Sequence, residues 1–342
     1  MNKKAIALLS GGLDSMLAVK MMLDQGIEVI AVNFTSPFCN CSPRKEGCKH
    51  QAKRVAEELG ILIRVIPKGM DYMKLVENPP HGYGRGMNPC IDCRIYMLRK
   101  AKELMASMGA SFIITGEVLG QRPMSQHRQA LQLIEKESGL QGFIIRPLSA
   151  HHFPLTVPEL EGLVDRQKLL AISGRSRKCQ IQLAKNLGLR DYPCPAGGCL
   201  LTDRLMASRL RDIFFHIPNY TIEDLLFLRI GRHFRLHPGL KVILGRNKEE
   251  NERICALAIP GSVLFYPTGF RGPTAVATGV SDSLSDQTIG QIIVRYSQDG
   301  GNSYCIRKEV VGGEETMFSV KGKISLEKLD QLCVGGQSGQ HL

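Results

Sequence analysis

The sequence predicts an α/β protein with a doubly wound parallel sheet, followed by a smaller C-terminal α+β domain. Three observations support this prediction. In the first half, short apolar runs alternate with helical stretches, which is typical of a parallel sheet covered by helices. A glycine turn joins the first apolar run directly to the first helix. In the last third, β-rich runs follow one another closely.

Each predicted element follows from a local pattern. Apolar runs bounded by glycine or polar residues indicate strands, and amphipathic stretches indicate helices. The predicted strands of the first half are residues 5–9, 27–34, 62–66 and 112–115, and the predicted helices are 16–25, 49–59 and 94–108. In the last third, β-rich runs occur at residues 241–244, 262–266, 274–278 and 289–296.

The length of 342 residues predicts more than one domain. We place the α/β domain at residues 1–172, a cysteine-containing connecting segment at 173–205, and the α+β domain at 206–342. Proline and glycine are concentrated between residues 79 and 89, which predicts a loop leading into Cys90.

Charge and hydropathy indicate a basic protein outside the membrane. There are 44 Lys and Arg against 32 Asp and Glu, a formal charge of +12, which favours a polyanionic partner such as nucleic acid over an acidic one. We see no signal-peptide pattern and no apolar run near the ~20 residues of a membrane span. We therefore expect a cytoplasmic location, where cysteines serve metal binding or redox chemistry more often than disulfides.

The first strand-to-helix junction has the chemistry of an anion site. Two glycines let the backbone curl around a phosphate, the amides of a helix N-terminus point at it, and serine hydroxyls add donors. The carboxylate suits Mg²⁺, and the lysine of a Walker A loop is absent. A plain glycine turn is the alternative. The loop consists of Ser10, Gly11, Gly12, Leu13, Asp14 and Ser15.

This loop resembles the signature of the PP-loop ATP pyrophosphatases, which have the adenine nucleotide alpha hydrolase-like fold and cleave ATP to AMP and pyrophosphate while adenylating a substrate. Residues 88–93 (Asn-Pro-Cys-Ile-Asp-Cys) and 115–117 (Thr-Gly-Glu) resemble the tRNA 2-thiouridylases and related tRNA thiolation enzymes. The resemblance implies that residues 10–15 hold the pyrophosphate end of ATP with Mg²⁺. It also implies an adenosine pocket lined by Ala31, Val32, Asn33 and Gly116.

Three cysteines are candidates for carrying sulfur. Cys90 and Cys93 precede a predicted helix, whose dipole, together with Arg94, is expected to lower a thiol pKa. Cys199 follows two glycines and matches the distal cysteine of the resembled thiouridylases better than its competitor Cys194. Two thiols suffice for a persulfide mechanism, whereas all three would hold a 4Fe-4S cluster with one iron free for sulfide. Both chemistries stay open, as does a set of inert buried thiols.

A second group of soft ligands follows the second predicted strand. It is spaced more tightly than standard zinc patterns, so a tetrahedral Zn²⁺ site and a loop without metal are both compatible with it. Its members are Cys39, Cys41, Cys48 and His50. Cys179, Cys255, Cys305 and Cys333 are isolated in the sequence and are expected to be ordinary core or surface thiols.

Basic residues provide candidate substrate contacts. Residues 175–178 carry Arg175, Arg177 and Lys178, which suit either tRNA phosphates or the triphosphate of ATP, or form a solvated helix end. Arg122 and the pair at 127–128, His-Arg, follow the Thr-Gly-Glu motif. Residues 240–251 resemble a short motif in the RNA-binding part of ribosome-quality-control and fibronectin-binding-like proteins.

Together these features predict ATP-dependent tRNA thiolation, in which a base carbonyl is adenylated and its oxygen is replaced by sulfur. Asp14, Cys90, Cys93 and Cys199 are the expected catalytic residues. The expected partners are tRNA and a sulfur donor, either sulfide or a persulfide carrier. Two alternatives remain: a PP-loop enzyme that adenylates a small molecule, and an ATP-binding regulator associated with RNA.

Overall fold

The computed structural model describes residues 1–39, 48–189, 199–279, 281–298 and 301–336, with the backbone alone at positions 48 and 49. The chain divides into two compact units, Met1–Thr202 and Asp203–Leu342. Residues 173–202, which the sequence suggested as a connecting segment, lie within the first unit.

The first unit alternates strands and helices as predicted. Two helices begin earlier than expected: α1 begins at Leu13, immediately after the glycine turn, and α4 begins at Cys90. Cys90 and Cys93 therefore lie in the first turn of α4 and do not precede it. The described elements are β1 (Lys4–Leu8), α1 (Leu13–Leu23), β2 (Glu28–Thr35), α2 (Cys48–Glu58), β3 (Leu62–Pro67), α3 (Met70–Glu77), α4 (Cys90–Met108), β4 (Phe112–Thr115), α5 (Arg128–Ser138), β5 (Ile144–Ile145), α6 (Val157–Leu160) and α7 (Lys178–Asn186).

The five strands form one parallel sheet in the order β3-β2-β1-β4-β5. Leu8, the last residue of β1, is in register with Val32 on one side and Thr115 on the other. From β1 the strands continue as β2 and β3 towards one edge of the sheet, and from β4 the sheet continues with β5 towards the other edge. In sheets of this kind a crevice opens at that reversal, beyond the carboxyl ends of the two strands. The loops after β1 and β4 meet at this crevice.

Helices cover both faces of the sheet, which confirms the doubly wound prediction. On one face, Met16 and Leu17 of α1, Val55 of α2 and Ala184 of α7 belong to one fully buried apolar core. On the other face, α4 and α5 pack together over a second core. Because strands of a parallel sheet are buried on both faces, their apolar runs are nearly continuous in the sequence.

The second unit contains a six-stranded antiparallel sheet in the order β11-β10-β8-β9-β7-β6. Its helices supply a buried apolar face against the sheet, in agreement with the predicted α+β domain. Its described elements are α8 (Arg204–His216), α9 (Ile222–Leu226), β6 (Arg232–His237), β7 (Leu240–Leu244), α10 (Lys248–Leu257), β8 (Val263–Thr268), β9 (Ala275–Gly279), α11 (Ser283–Arg295), β10 (Ser303–Val310), β11 (Glu315–Lys321) and α12 (Leu326–Leu332).

One predicted strand is wrong. Residues 289–296 belong almost entirely to α11, although isoleucine and valine favour strands. The helix begins at an N-cap, Asp282, whose carboxylate accepts a hydrogen bond from the Ser285 amide at 2.8 Å. Ile289, Ile292 and Ile293 then fall on one helical face and are fully buried. Burial of that face outweighs the intrinsic strand preference of the run.

In the part of the chain that the structure describes, no helix is both long and apolar enough to cross a bilayer.

Gly290 sits where α11 approaches β11, and a Cβ there would overlap Val320 Cγ2 and lie 3.4 Å from Phe318 Cε2. We predict that Gly290→Val destabilises the second unit by about 1–3 kcal/mol, because the added carbons overpack a closed core. Native-state hydrogen exchange of the β10 and β11 amides measures this free energy. Leu284→Val is the matched control, since Leu284 lies in the same helix but is 74% exposed; equal effects of the two changes would contradict the packing argument.

Candidate active site

Two glycines shape the crevice between β1 and β4. Gly11 has a positive φ of 78°, and a Cβ there would lie 2.8 Å from the Ala52 amide nitrogen. A Cβ on Gly116 would lie 2.5 Å from the Ser15 nitrogen. Only glycine therefore allows α2 and the end of β4 to approach the loop after β1 this closely.

Ser10 and Ser15 stabilise the conformation of the loop by hydrogen bonds within it. Ser15 Oγ donates to the Gly12 carbonyl at 2.9 Å and accepts from the Ser10 amide at 3.3 Å. The Gly12 amide donates to Ser10 Oγ at 3.3 Å. The loop leads straight into α1, a helix of 11 residues whose N-terminal amides carry partial positive charge. This geometry suits a phosphate group.

Asp14 presents one carboxylate oxygen to the crevice. Its Oδ2 accepts from Gln121 Nε2 at 2.7 Å, and Gln180 Nε2 in turn donates to Gln121 Oε1 at 3.1 Å. Its Oδ1 is buried without a hydrogen bond and lies 3.7 Å from Arg177 Nη2. A buried carboxylate oxygen without a donor is a suitable ligand for Mg²⁺. Arg177, one of the basic residues noted in the sequence, therefore belongs to this site.

The residues predicted to line an adenosine pocket lie at the same edge of the sheet. Ala31 and Val32 are fully buried in the cores on opposite faces. Asn33 Nδ2 donates to the Leu9 carbonyl at 2.8 Å, and its buried Oδ1 has no hydrogen-bond partner. Contact of Ala31 or Val32 with a ligand would involve their backbone, and the adenosine pocket stays a prediction.

A buried carboxylate connects the crevice to α4. Glu117 follows Gly116 and accepts from Arg94 Nη2 at 2.6 Å and from Arg146 Nε at 2.9 Å. Burial opposes its ionisation, but the two guanidinium groups outweigh this and lower the pKa of Glu117 to about 2. Glu117 is therefore ionised at neutral pH and ties Arg94, next to Cys93, to the end of β4.

The two thiols of α4 differ in acidity. Cys93 is buried, which raises a thiol pKa, but Lys68 Nζ at 3.0 Å and the Tyr72 hydroxyl at 3.5 Å donate to its sulfur, and the pKa of Cys93 is lowered. Burial and the nearby Cys93 raise the pKa of Cys90, although Asn88 Nδ2 donates to it at 2.9 Å.

The predicted lowering of a thiol pKa therefore applies to Cys93 and not to Cys90. For Cys93 it has a different main cause, because Lys68 contributes more than Arg94. Sequence reasoning missed Lys68 and Tyr72. Both come from the segment after β3, and nothing in the local sequence connects them to Cys93, which lies more than twenty residues further on.

Cys199 joins this group from a distant part of the chain. It pairs with Cys39 in an isolated antiparallel bridge, and its charge interactions involve Cys93, Lys68 and Cys39. Burial raises the pKa of Cys199 to about 11. The structure thus brings Cys39, Cys93 and Cys199 within electrostatic reach of Tyr72, whereas Cys194 lies outside the described residues.

Metal binding by these residues has limited support in the described parts of the chain. There, no three His, Cys, Asp or Glu side chains are placed to hold one metal ion. The 4Fe-4S cluster predicted for Cys90, Cys93 and Cys199 stays a prediction. Of the predicted zinc ligands, Cys41 lies outside the described residues, the side chain of Cys48 is not described, and His50 is exposed.

Arg122 follows the Thr-Gly-Glu motif, and its side chain is exposed. Partial desolvation and the charge of Arg94 lower the pKa of Arg122, whereas Cys90 and Asp14 act in the opposite direction. Arg122 thus adds positive charge in the neighbourhood of the loop and of α4. The neighbouring His127 caps α5, since its Nδ1 accepts from the Ala130 amide at 3.2 Å.

Two known families match the chain, one within each of its two units. Residues 1–152 match the model of the thiamine biosynthesis protein (ThiI) family. Residues 231–327 match the NFACT protein RNA binding domain, the region for which the sequence motif at 240–251 indicated such a similarity. The first match includes the loop after β1, the thiols of α4 and Glu117; the second lies entirely within the second unit.

Curated relatives match parts of the chain. A probable tRNA sulfurtransferase of Methanosarcina mazei is 34% identical over 126 residues, covering 34% of this chain and 29% of that protein. The tRNA-specific 2-thiouridylase MnmA of Geobacter metallireducens is 31% identical over 134 residues, covering 33% of this chain and 35% of that protein. The chain thus spans about a third of the length of these relatives.

A solved 4-thiouridine synthetase bound to RNA and ATP has 23% identity over 54% of this chain and 51% of that chain, with a TM-score of 0.35, too low to assign a shared fold. The assignment depends instead on the family matches and on the loop, sheet order and thiols described above. The first unit is thus similar, over residues 1–152, to the ThiI family and to enzymes named for tRNA thiolation, and residues 231–327 are similar to the NFACT RNA-binding domain.

Proposed function

We propose that this protein is an ATP-dependent tRNA sulfurtransferase. It would adenylate a carbonyl oxygen of a tRNA base, release pyrophosphate, and replace that oxygen with sulfur as AMP leaves. The observation that carries the proposal is the Arg94–Glu117 hydrogen bond at 2.6 Å, which joins the helix of Cys90 and Cys93 to the end of β4, where Gly116 packs against Ser15 of the phosphate loop. A nucleotide site and a thiol group held at the same end of the sheet suit a reaction that joins ATP cleavage to sulfur transfer.

The relatives support this choice of substrate. The matched regions of the Methanosarcina and Geobacter proteins belong to enzymes named for tRNA thiolation. The second unit matches an RNA-binding domain, and the chain carries a formal charge of +12, which favours a polyanion such as tRNA. We also propose that the protein acts in the cytoplasm, where the reduced thiols that this chemistry requires persist.

The phosphate loop would position ATP for the first step. The amides at the start of α1 and the serine hydroxyls would bind the pyrophosphate end. Mg²⁺, held by Asp14 Oδ1, would neutralise phosphate charge during adenylation. Arg177 and Arg122 would add positive charge around the same phosphates, so that the base carbonyl attacks the α-phosphate with pyrophosphate as leaving group.

The thiols would supply sulfur in the second step. Cys93 is the thiolate best suited to take a sulfur atom from a persulfide donor, because Lys68 and Tyr72 stabilise its negative charge. The outer sulfur of the Cys93 persulfide would attack the adenylated carbon and expel AMP. Cys199 would then attack the Cys93 sulfur, breaking the S–S bond, releasing the thiolated base and leaving a Cys93–Cys199 disulfide.

Loss of the Cys93 charge would favour Cys199 as a nucleophile. Burial raises the pKa of Cys199 most, the Cys93 charge adds to this, and Lys68 lowers it. The Cys93 persulfide is itself an anion, but once its outer sulfur has bonded to the base carbon the resulting disulfide is uncharged, and the repulsion from Cys93 disappears. The iron–sulfur alternative, with Cys90, Cys93 and Cys199 as ligands, and a Zn²⁺ site at residues 39–50 enter no step of this proposal.

The tRNA assignment is tested in cells that lack the gene. Mass spectrometry of nucleosides from total tRNA should show one thiolated nucleoside missing, which a wild-type copy restores and a Cys199→Ser copy does not. Cys179→Ser, at an exposed isolated thiol, should restore it fully. If every thiolated nucleoside persists in the deletion strain, tRNA is not the substrate and a small molecule becomes the candidate.

Asp14→Asn should abolish adenylation while leaving the fold intact, since an amide oxygen still accepts from Gln121. We expect tRNA-dependent release of pyrophosphate from ATP to fall about a hundredfold or more, because the metal ligand and its charge are lost. Asp24→Asn, which removes an exposed carboxylate paired with Lys20, is the control. Unchanged pyrophosphate release in Asp14→Asn would remove Asp14 from the site.

Lys68→Met should raise the pKa of Cys93, because the attraction that lowers it is removed. Iodoacetamide reacts with the thiolate, so the pH midpoint of Cys93 alkylation should move upward by about one unit or more. Peptide mass spectrometry after alkylation at a series of pH values measures this midpoint. Lys74→Met changes an exposed lysine of α3 and should leave the midpoint in place; a shared shift would point to altered access instead of charge.

A further inference from the structure

Cys39 and Cys199 stand directly opposite each other. They form an antiparallel bridge between the segment after β2 and the segment that precedes α8. The Leu200 amide donates to the Phe38 carbonyl at 3.0 Å, so the bond joins the residues that flank the pair and not the pair itself. Such a position is the narrow, non-hydrogen-bonded kind, where opposite Cα atoms lie about 4.5 Å apart.

That spacing falls within the Cα separations of about 4.4–6.8 Å that disulfides span. Both residues are thiols in the structure, and both are partly accessible. Their backbones are already aligned, so a bond between them needs only side-chain rotation. By contrast, Cys90 and Cys93 are fixed in the first turn of α4.

We propose that Cys39 is a third thiol in the sulfur-transfer cycle and takes over the disulfide left on Cys199, forming a Cys39–Cys199 bond that frees Cys93. This inference rests on the proposed function, which generates the Cys93–Cys199 disulfide. Nothing in the sequence pattern pointed to it, because Cys39 was grouped with the possible zinc ligands that follow it.

The exchange balances without any added oxidant. The Cys39 thiolate attacks the Cys199 sulfur, the Cys93–Cys199 bond breaks, and Cys93 leaves as a thiolate with the electron pair of that bond. A thiol that forms a stable thiolate is the faster leaving group, and Lys68 and Tyr72 stabilise Cys93 in that form. A dithiol reductant, which gives up two electrons and two protons, then returns Cys39 and Cys199 to thiols.

The Cys39–Cys199 pair would therefore separate sulfur loading from reduction. Cys93 can then accept the next sulfur atom while the disulfide between Cys39 and Cys199 has not yet been reduced. If the disulfide remained on Cys93, no sulfur could be accepted until reduction was complete.

The test needs neither tRNA nor ATP. The full chain is equilibrated with excess oxidised glutathione, alkylated with iodoacetamide, digested without reduction, and analysed by mass spectrometry. In the wild type we expect a Cys39–Cys199 linked peptide and an alkylated Cys93. In Cys39→Ser and Cys39→Ala we expect a Cys93–Cys199 link, with alkylation of Cys93 reduced at least about tenfold.

Cys41→Ser is the matched control, because Cys41 shares a tryptic peptide with Cys39 and its replacement should leave the wild-type pattern intact. A wild-type link of Cys199 to Cys93 or Cys41, or an unchanged Cys93 in both Cys39 variants, would overturn the proposal. Since the readout involves no tRNA, loss of the linked peptide is distinguishable from loss of tRNA thiolation. Two Cys39 variants are included so that a folding defect in one does not decide the result.

Discussion

The ion cluster around Glu117 sets the geometry on which both halves of the site depend. Its carboxylate is buried, yet Arg94 and Arg146 keep it ionised with a pKa of about 2. Because that pKa lies below the unfolded value of about 4.3, the cluster stabilises the fold above that value and loses this contribution as pH falls towards 2. Arg94 adjoins Cys93, and Gly116 touches the start of α1. One carboxylate thus fixes the thiol helix relative to the phosphate loop.

Three cations have different positions and different tasks in the crevice. Lys68 pairs with the Cys93 sulfur, Arg177 approaches Asp14, and Arg122 adds positive charge in the neighbourhood of the loop and of α4. Their combined charge favours phosphate, but the contact of Lys68 with a sulfur atom assigns one of them to the proposed sulfur-transfer step. Loss of Lys68 would therefore impair sulfur transfer more than nucleotide binding, whereas loss of Arg177 would do the reverse.

The sequence was sufficient where the signal is local. The apolar strands, the glycine loop at residues 10–15 and the sheet type follow from short patterns, and the structure agrees with them. The sequence did not predict features that depend on tertiary contacts. Residues 289–296 are helical because a buried face outweighs strand preference. The acidity of Cys93 comes mainly from Lys68, and the neighbour of Cys199 is Cys39; both pairs are distant in the sequence and meet only in the tertiary structure.

The pKa values of Cys93 and Cys199 are shifted in opposite directions. The pKa is lowered at Cys93 and raised at Cys199, so the two thiols are not equivalent nucleophiles. This difference suits the proposed ordered steps, in which Cys93 reacts first and Cys199 second. Burial is the main cause of the raised pKa of Cys199, the charge of Cys93 adds to it, and Lys68 acts on both thiols. The proposed order of sulfur transfer therefore follows from burial and from the charges of Lys68 and Cys93.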